Sequence, residues 1–124
     1  MLVHSELTEQ VIGLAVNVHK QLGPGLFESV YEECLCFELA KAGIAFERQL
    51  AIPIIYRGTV LQAGFRADIV VAGDLILEIK SVEDLGPVHE AQLLTYLRLS
   101  GRKVGLLMNF NVVRLKDGLR RFVM

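Results

Sequence analysis

Two short apolar runs, Phe65 to Val71 and Leu75 to Lys80, flank Ala72-Gly73-Asp74 and constrain this chain more than any other feature. Their β-branched and aromatic content reads as two strands joined by a turn. If all three residues form the loop, Val71 faces Leu75, and counting back sets Asp68 opposite Glu78. Opposed residues of an antiparallel pair have Cβ atoms about 4.5–5.5 Å apart on one face. Lys80 lies two residues beyond Glu78 and shares that face. The other face would carry Ile69, Val71, Leu75, Leu77 and Ile79, all core. A two-residue turn at Gly73-Asp74 would instead place Ile79 opposite Asp68 and dissolve the cluster.

Two carboxylates about 5 Å apart repel by roughly 3 kcal/mol at an effective dielectric near 20. A cation between them, or a proton on one, relieves this. Lys80 is one candidate cation, which would make the group a structural ion pair at the end of a sheet. Hard oxygen donors at this spacing also suit Mg²⁺ or Mn²⁺. Such a cation would acidify a water and polarise a phosphoryl oxygen, with the lysine orienting the nucleophile or helping to deprotonate it.

The rest of the chain supplies the surroundings. Leu7, Val11, Leu14, Ala15, Val18 and Leu22 recur at helical spacing over Glu6 to Leu22. Gly23-Pro24-Gly25 breaks the chain, and a second helix is predicted from about Phe27 to Ala42, burying Val30, Tyr31, Leu35 and Leu39 and stopped by Gly43. Phe46 to Tyr56 reads as a strand, with Pro53 marking an edge or a bulge. Arg57-Gly58 turns the chain into Thr59 to Gln62. A helix over Val88 to Ser100 and a strand over Val104 to Phe110 follow. A closing hairpin is expected from Val112 to Lys116, Asp117-Gly118, and Leu119 to Val123.

With 124 residues the chain has the size of one domain, assigned to residues 1–124. Its 52% hydrophobic content calls for a sheet covered on both faces, or for apolar surface kept for a partner. No apolar run reaches the length of a membrane span, and no secretory signal opens the sequence. Cys34 and Cys36 stand two apart in a helix and point away from each other, so a disulfide-free cytoplasmic protein is expected. The net charge of −1 gives no general support for nucleic-acid affinity. Arg98, Arg102, Lys103, Arg114, Lys116, Arg120 and Arg121 would form a local phosphate-binding patch if gathered on one side, and a solvated edge otherwise.

Asp68 followed by Glu78-Ile79-Lys80 resembles the D…(D/E)-x-K signature of the PD-(D/E)xK phosphodiesterase superfamily. Gly25-Leu26-Phe27-Glu28-Ser29-Val30-Tyr31 resembles the motif that names the GxxExxY proteins, a small group assigned to that superfamily. Arg66-Ala67-Asp68, the run His89 to Leu97, and Gly105 to Phe110 extend the resemblance over nearly the whole chain. Ala67 stands where a proline usually precedes the first acidic residue.

The resemblance implies an α/β fold with a mixed β-sheet flanked by helices, to which the closing hairpin is added. It implies that Asp68 and Glu78 ligate Mg²⁺ or Mn²⁺ and that Lys80 assists the attacking water. Glu28 would be a further acidic residue at the metal, and Gln92 a glutamine near the site. Tyr31, Arg66, His89 and Tyr96 are candidates for substrate contact. Tyr31 shares a helix face with Glu28 and is equally a core residue; His89, Gln92 and Tyr96 form a polar stripe that lines a cleft or faces solvent. His89-Glu90 begins like a zinc-protease motif, but Leu93 stands where the second histidine is needed. His4 and His19 lack a metal-ligand partner at useful spacing. The implied activity is hydrolysis of nucleic-acid phosphodiester bonds; a homodimer is compatible with it and would supply two sites for the two strands of a duplex. The alternative is an interaction or nucleic-acid-binding module that keeps the fold without turnover.

Overall fold

The computed structural model describes residues 5–124. Two helices come first, α1 (Ser5–Leu22) and α2 (Glu28–Lys41), followed by strands β1 (Phe46–Tyr56), β2 (Thr59–Val71) and β3 (Leu75–Lys80). Helix α3 (Pro87–Ser100) leads to β4 (Val104–Asn109), a 3-10 turn (Leu115–Gly118) and β5 (Leu119–Val123). The five strands form one sheet in the order β1-β2-β3-β4-β5. Only β3 and β4 run parallel, and α3 makes the crossover that a parallel pair needs.

The turns follow their chemistry. Gly23 and Gly25 take positive φ between α1 and α2, where side chains are disfavoured. Gly43, at φ +73, ends α2, and the Ile44 N–H reaches back to the Leu39 carbonyl. Arg57 and Gly58 both have positive φ, the conformation of a tight two-residue hairpin turn. Pro87 opens α3, where its missing N–H costs nothing.

Both faces of the sheet are covered, which accounts for the apolar composition. On one face α1 and α2 bring Val11, Ala15, Val18, Leu35 and Leu39 against Ile69, Val71, Leu75, Leu77 and Ile79. On the other, Leu93 and Leu97 of α3 pack on Val70, Ile76 and Leu107. Each such side chain contributes about 1.5–3 kcal/mol of burial. Val71 pairs with Leu75 and Ile69 with Leu77, which is the register of a three-residue loop. Pro53 lies on an edge strand at a register shift between Ile52 and Ile54. There Gly64 touches the Ile52 carbonyl so closely that a Cβ has no room.

Two expectations are corrected. Thr59 to Gln62 and Phe65 to Val71 form one continuous strand. Residues 112–116 are not a strand, and β5 pairs antiparallel with β4. His19 Nε2 bonds to the Val112 carbonyl at 2.8 Å and Leu115 is buried, which ties this segment to α1 and the core. His19 is thus a buried, satisfied histidine, while His4 lies outside the described residues. Cys34 and Cys36 are unbridged, and burial pushes the Cys36 thiol up to about 11. Among the described residues no helix is long and apolar enough to cross a membrane.

Candidate active site

The site lies where β2 and β3 part. Their ladder of paired residues stops at Ile69–Leu77, and the next pair meets through side chains. The Ile79 N–H donates to Asp68 Oδ2 at 2.8 Å, and the Asp68 N–H faces Glu78 Oε1 at 3.4 Å. Asp68 is half-buried, whereas Glu78 is only 6% exposed. Burial, and then the negative charge of Asp68, push the Glu78 carboxyl up to about 8. The Asp68 N–H and the Lys80 ammonium act in the opposite direction without cancelling that rise. Half-buried Lys80 therefore senses Glu78 but does not neutralise the pair.

Helix α3 closes the site on the sheet face that Asp68 and Glu78 share with Val70 and Ile76. Tyr96 stacks on Phe65, with ring centroids 3.6 Å apart and planes 4° from parallel. Its phenol is held above the usual range by burial first, then by the charges of Glu78 and Asp68. A side-chain hydrogen bond with Gln92 works the other way. The structure thus brings Asp68, Glu78, Lys80, Gln92 and Tyr96 into one neighbourhood, with Gln92 at the exposed rim.

The remaining candidates are placed differently. Glu28 begins α2, and its Oε2 accepts the Ser81 N–H at 3.1 Å; the Ser81 hydroxyl donates to the Leu26 carbonyl at 2.6 Å. Glu28 therefore holds the chain just after Lys80, beside an open groove of about 390 Å³ lined by Leu26, Phe27, Ser29 and Ser81. Among the described residues no three acidic, cysteine or histidine groups gather at one point, so Glu28 stands apart from the Asp68/Glu78 pair. Tyr31, a candidate for substrate contact, lies in the core. Its side chain is fully buried against Phe110, and its hydroxyl donates to the Gly23 carbonyl and accepts the Leu26 N–H. Tyr31 braces the loop that carries Glu28. His89 caps α3 through Nδ1, which accepts the Gly86 N–H at 3.0 Å. Exposed Arg66 donates to the Gln49 carbonyl at 3.0 Å.

Four further residues shape the site. Gln49 sits at φ +52, out of strand conformation, and its pairing with Asp68 is missing from the β1–β2 ladder. Its Nε2 donates to Glu32 Oε1 at 2.8 Å and lies 3.4 Å from Asp68 Oδ1. Buried Glu32 is completed by Arg48 Nε at 2.7 Å. Asn109 is buried and binds both the N–H and the carbonyl of Val82, fixing the exit of β3. In the sequence, the polar run Glu47-Arg48-Gln49 interrupts the alternation of β1, a signal that the strand is irregular there.

The basic residues do not form one patch. Arg102 donates to the Gly73 carbonyl, Arg120 reaches Glu90 at 3.7 Å, and neighbouring Arg121 alternates to the other face of β5.

Asp68 and Glu78 fit a divalent cation by their chemistry. They are hard oxygen donors held together, one of them buried, with no full counter-charge. Comparison with curated proteins and with solved structures gave no match. The sequence does match a family model described as the PD-(D/E)XK nuclease superfamily, over residues 5–122. That match spans all three α-helices, the sheet as far as Phe122 and every residue of the site, and the chain belongs to the PD-(D/E)XK nuclease superfamily.

Proposed function

We propose that this protein is a Mg²⁺- or Mn²⁺-dependent phosphodiesterase acting on nucleic acid, one of the GxxExxY group within its superfamily. The observation that carries this reading is the opposed pair Asp68 and Glu78, where burial and then mutual repulsion hold Glu78 up at about 8. A buried carboxylate in that state gains from a cation far more than a surface one does. When bound, the cation supplies charge stabilisation to a phosphoryl oxygen and acidifies a water.

The chain's own residues do the rest. Asp68, oriented by the Ile79 N–H, and Glu78 offer the oxygen donors. Lys80 orients the attacking water and stabilises charge developing on the phosphate. Gln92 and Tyr96 line the α3 side, and Arg66 and His89 are rim groups for the nucleic-acid backbone. One domain over residues 1–124, in the cytoplasm, suits the unbridged cysteines. A homodimer would present two sites to the two strands of a duplex.

The test is cleavage of labelled nucleic acid with Mn²⁺ by wild type, Glu78→Ala and Lys80→Ala. Loss of at least about a hundredfold in both variants is expected. Full activity in both would sink the reading. One observation favours a second reading, a module that keeps the fold without turnover: Glu28 spends its carboxylate on the Ser81 N–H. Under that reading, wild type binds nucleic acid but never cleaves it.

A further inference from the structure

Beyond the cleft, β1 and β2 continue as a ribbon of their own. Strand β2 pairs with β3 only from Ile69 onward, so from Ala67 back to Thr59 its ladder is with β1 alone. Helix α3 covers the base of this ribbon through Phe65 on Tyr96. Past that point Ile54 pairs with Leu61, Ile55 with Val60 and Tyr56 with Thr59, and the Arg57-Gly58 turn closes a narrow tip.

Two properties of the ribbon stand out together. Its outer side chains are apolar and open: Ile55 is 65% exposed and Tyr56 60%, with Val60 and Leu61 also exposed. Its charge is of one sign, since residues 48–67 hold three arginines and no acidic residue, in a chain of net charge −1. Arg48 is paired with Glu32, but Arg57 lies over the Tyr56 ring at 5.6 Å and Arg66 contacts only a carbonyl among the bonds described.

We propose that the β1–β2 ribbon is a DNA-binding arm that enters the major groove of a B-form duplex and fixes it against the Asp68/Glu78 site. This rests on the phosphodiesterase reading above and narrows its substrate to duplex DNA. The major groove of B-DNA, about 12 Å wide, admits a two-stranded ribbon, whereas the major groove of an RNA helix is too deep and narrow. Arginines at the ribbon's tip and base meet phosphates or guanine edges, and the apolar side chains meet thymine methyl groups. A second copy of the chain fits less well. Two such arms repel each other, and Pro53 removes an N–H donor from the exposed edge. The nine steps from Thr59 to Asp68 span about 30 Å as a strand. The arm therefore contacts DNA about nine base pairs from the scissile bond.

The test is fluorescence anisotropy with a DNA duplex of about 24 base pairs and an RNA duplex of the same sequence, with Ca²⁺ replacing Mg²⁺ to hold off cleavage. Wild type is compared with Tyr56→Ala/Arg57→Ala; both residues are exposed, and far-UV circular dichroism checks the fold. Wild type is expected to bind DNA at least about tenfold more tightly than RNA. The double variant is expected to lose about tenfold in DNA affinity and about one unit of salt slope. DNA binding unchanged in the variant overturns the arm and leaves the phosphodiesterase reading standing. Equal or stronger binding of RNA by wild type also overturns the arm, as does binding of neither duplex, while the phosphodiesterase reading stands or falls on the cleavage assay above. A fall from dimer to monomer mass in the variant, read by light scattering, overturns the arm in favour of a self-association surface.

Discussion

The backbone N–H of Ile79 donates to Asp68 Oδ2 at 2.8 Å, so the residue between Glu78 and Lys80 orients the carboxylate on the opposite strand. The signature is thereby one hydrogen-bonded unit across two strands. It leaves Asp68 and Glu78 side by side, with repulsion that the protein itself does not fully relieve.

The burial of Glu78, reinforced by that repulsion, predicts a pH dependence. With the Glu78 carboxyl raised to about 8, the folded state holds a proton that the unfolded state loses near its ordinary value. The associated stability is present below about pH 4.5 and is lost as pH rises to about 8, with a slope of at most about 1.4 kcal/mol per pH unit. Urea unfolding of metal-free protein between these limits is expected to show this fall. Glu78→Gln is expected to flatten it and to be the more stable protein at pH 8, while losing metal-dependent cleavage.

Gln49 connects Asp68 to the buried Glu32–Arg48 pair. Gln49→Ala removes a donor from Glu32 and is expected to cost about 1–3 kcal/mol. Because residue 49 sits at φ +52, Gln49→Gly is expected to be more stable than Gln49→Ala by about 1 kcal/mol. Both variants are expected to bind Mn²⁺ several-fold more weakly than wild type, since Asp68 loses its lateral partner. Urea unfolding orders the stabilities, and titration calorimetry measures the metal.

Tyr31 is expected to matter for stability and only indirectly for the site. Tyr31→Phe removes the bonds to the Gly23 carbonyl and the Leu26 N–H from a buried position. A loss of about 1–2 kcal/mol is predicted, with Mn²⁺ affinity within about threefold of wild type. A variant of normal stability with abolished metal binding would contradict this placement.

Much of this fold was legible because its signals are local. The turn residues 72–74 set the register that opposes Asp68 and Glu78, and the alternation of Ile69 to Ile79 marked the buried face. Pro53 marked both the edge and the register shift of β1. The misread features all depend on distant partners. Residues 112–116 look like a hairpin arm by turn chemistry, yet β5 takes β4 as its partner. Gly118, the apparent hairpin glycine, instead packs tightly on the Asn109 carbonyl. Glu28 announces a helix start, but its partner Ser81 lies across the fold at the end of β3. Glu32 carries no signal of its own in the sequence, and Arg48 and Gln49 on β1 explain its burial.

The most direct test of the central claim is isothermal titration of Mn²⁺ into wild type and Glu78→Ala at pH 8. Binding of about one ion per chain by wild type, weakened at least about a hundredfold in the variant, is the predicted result. Equal affinity in the two proteins would contradict the assignment of a metal to Asp68 and Glu78.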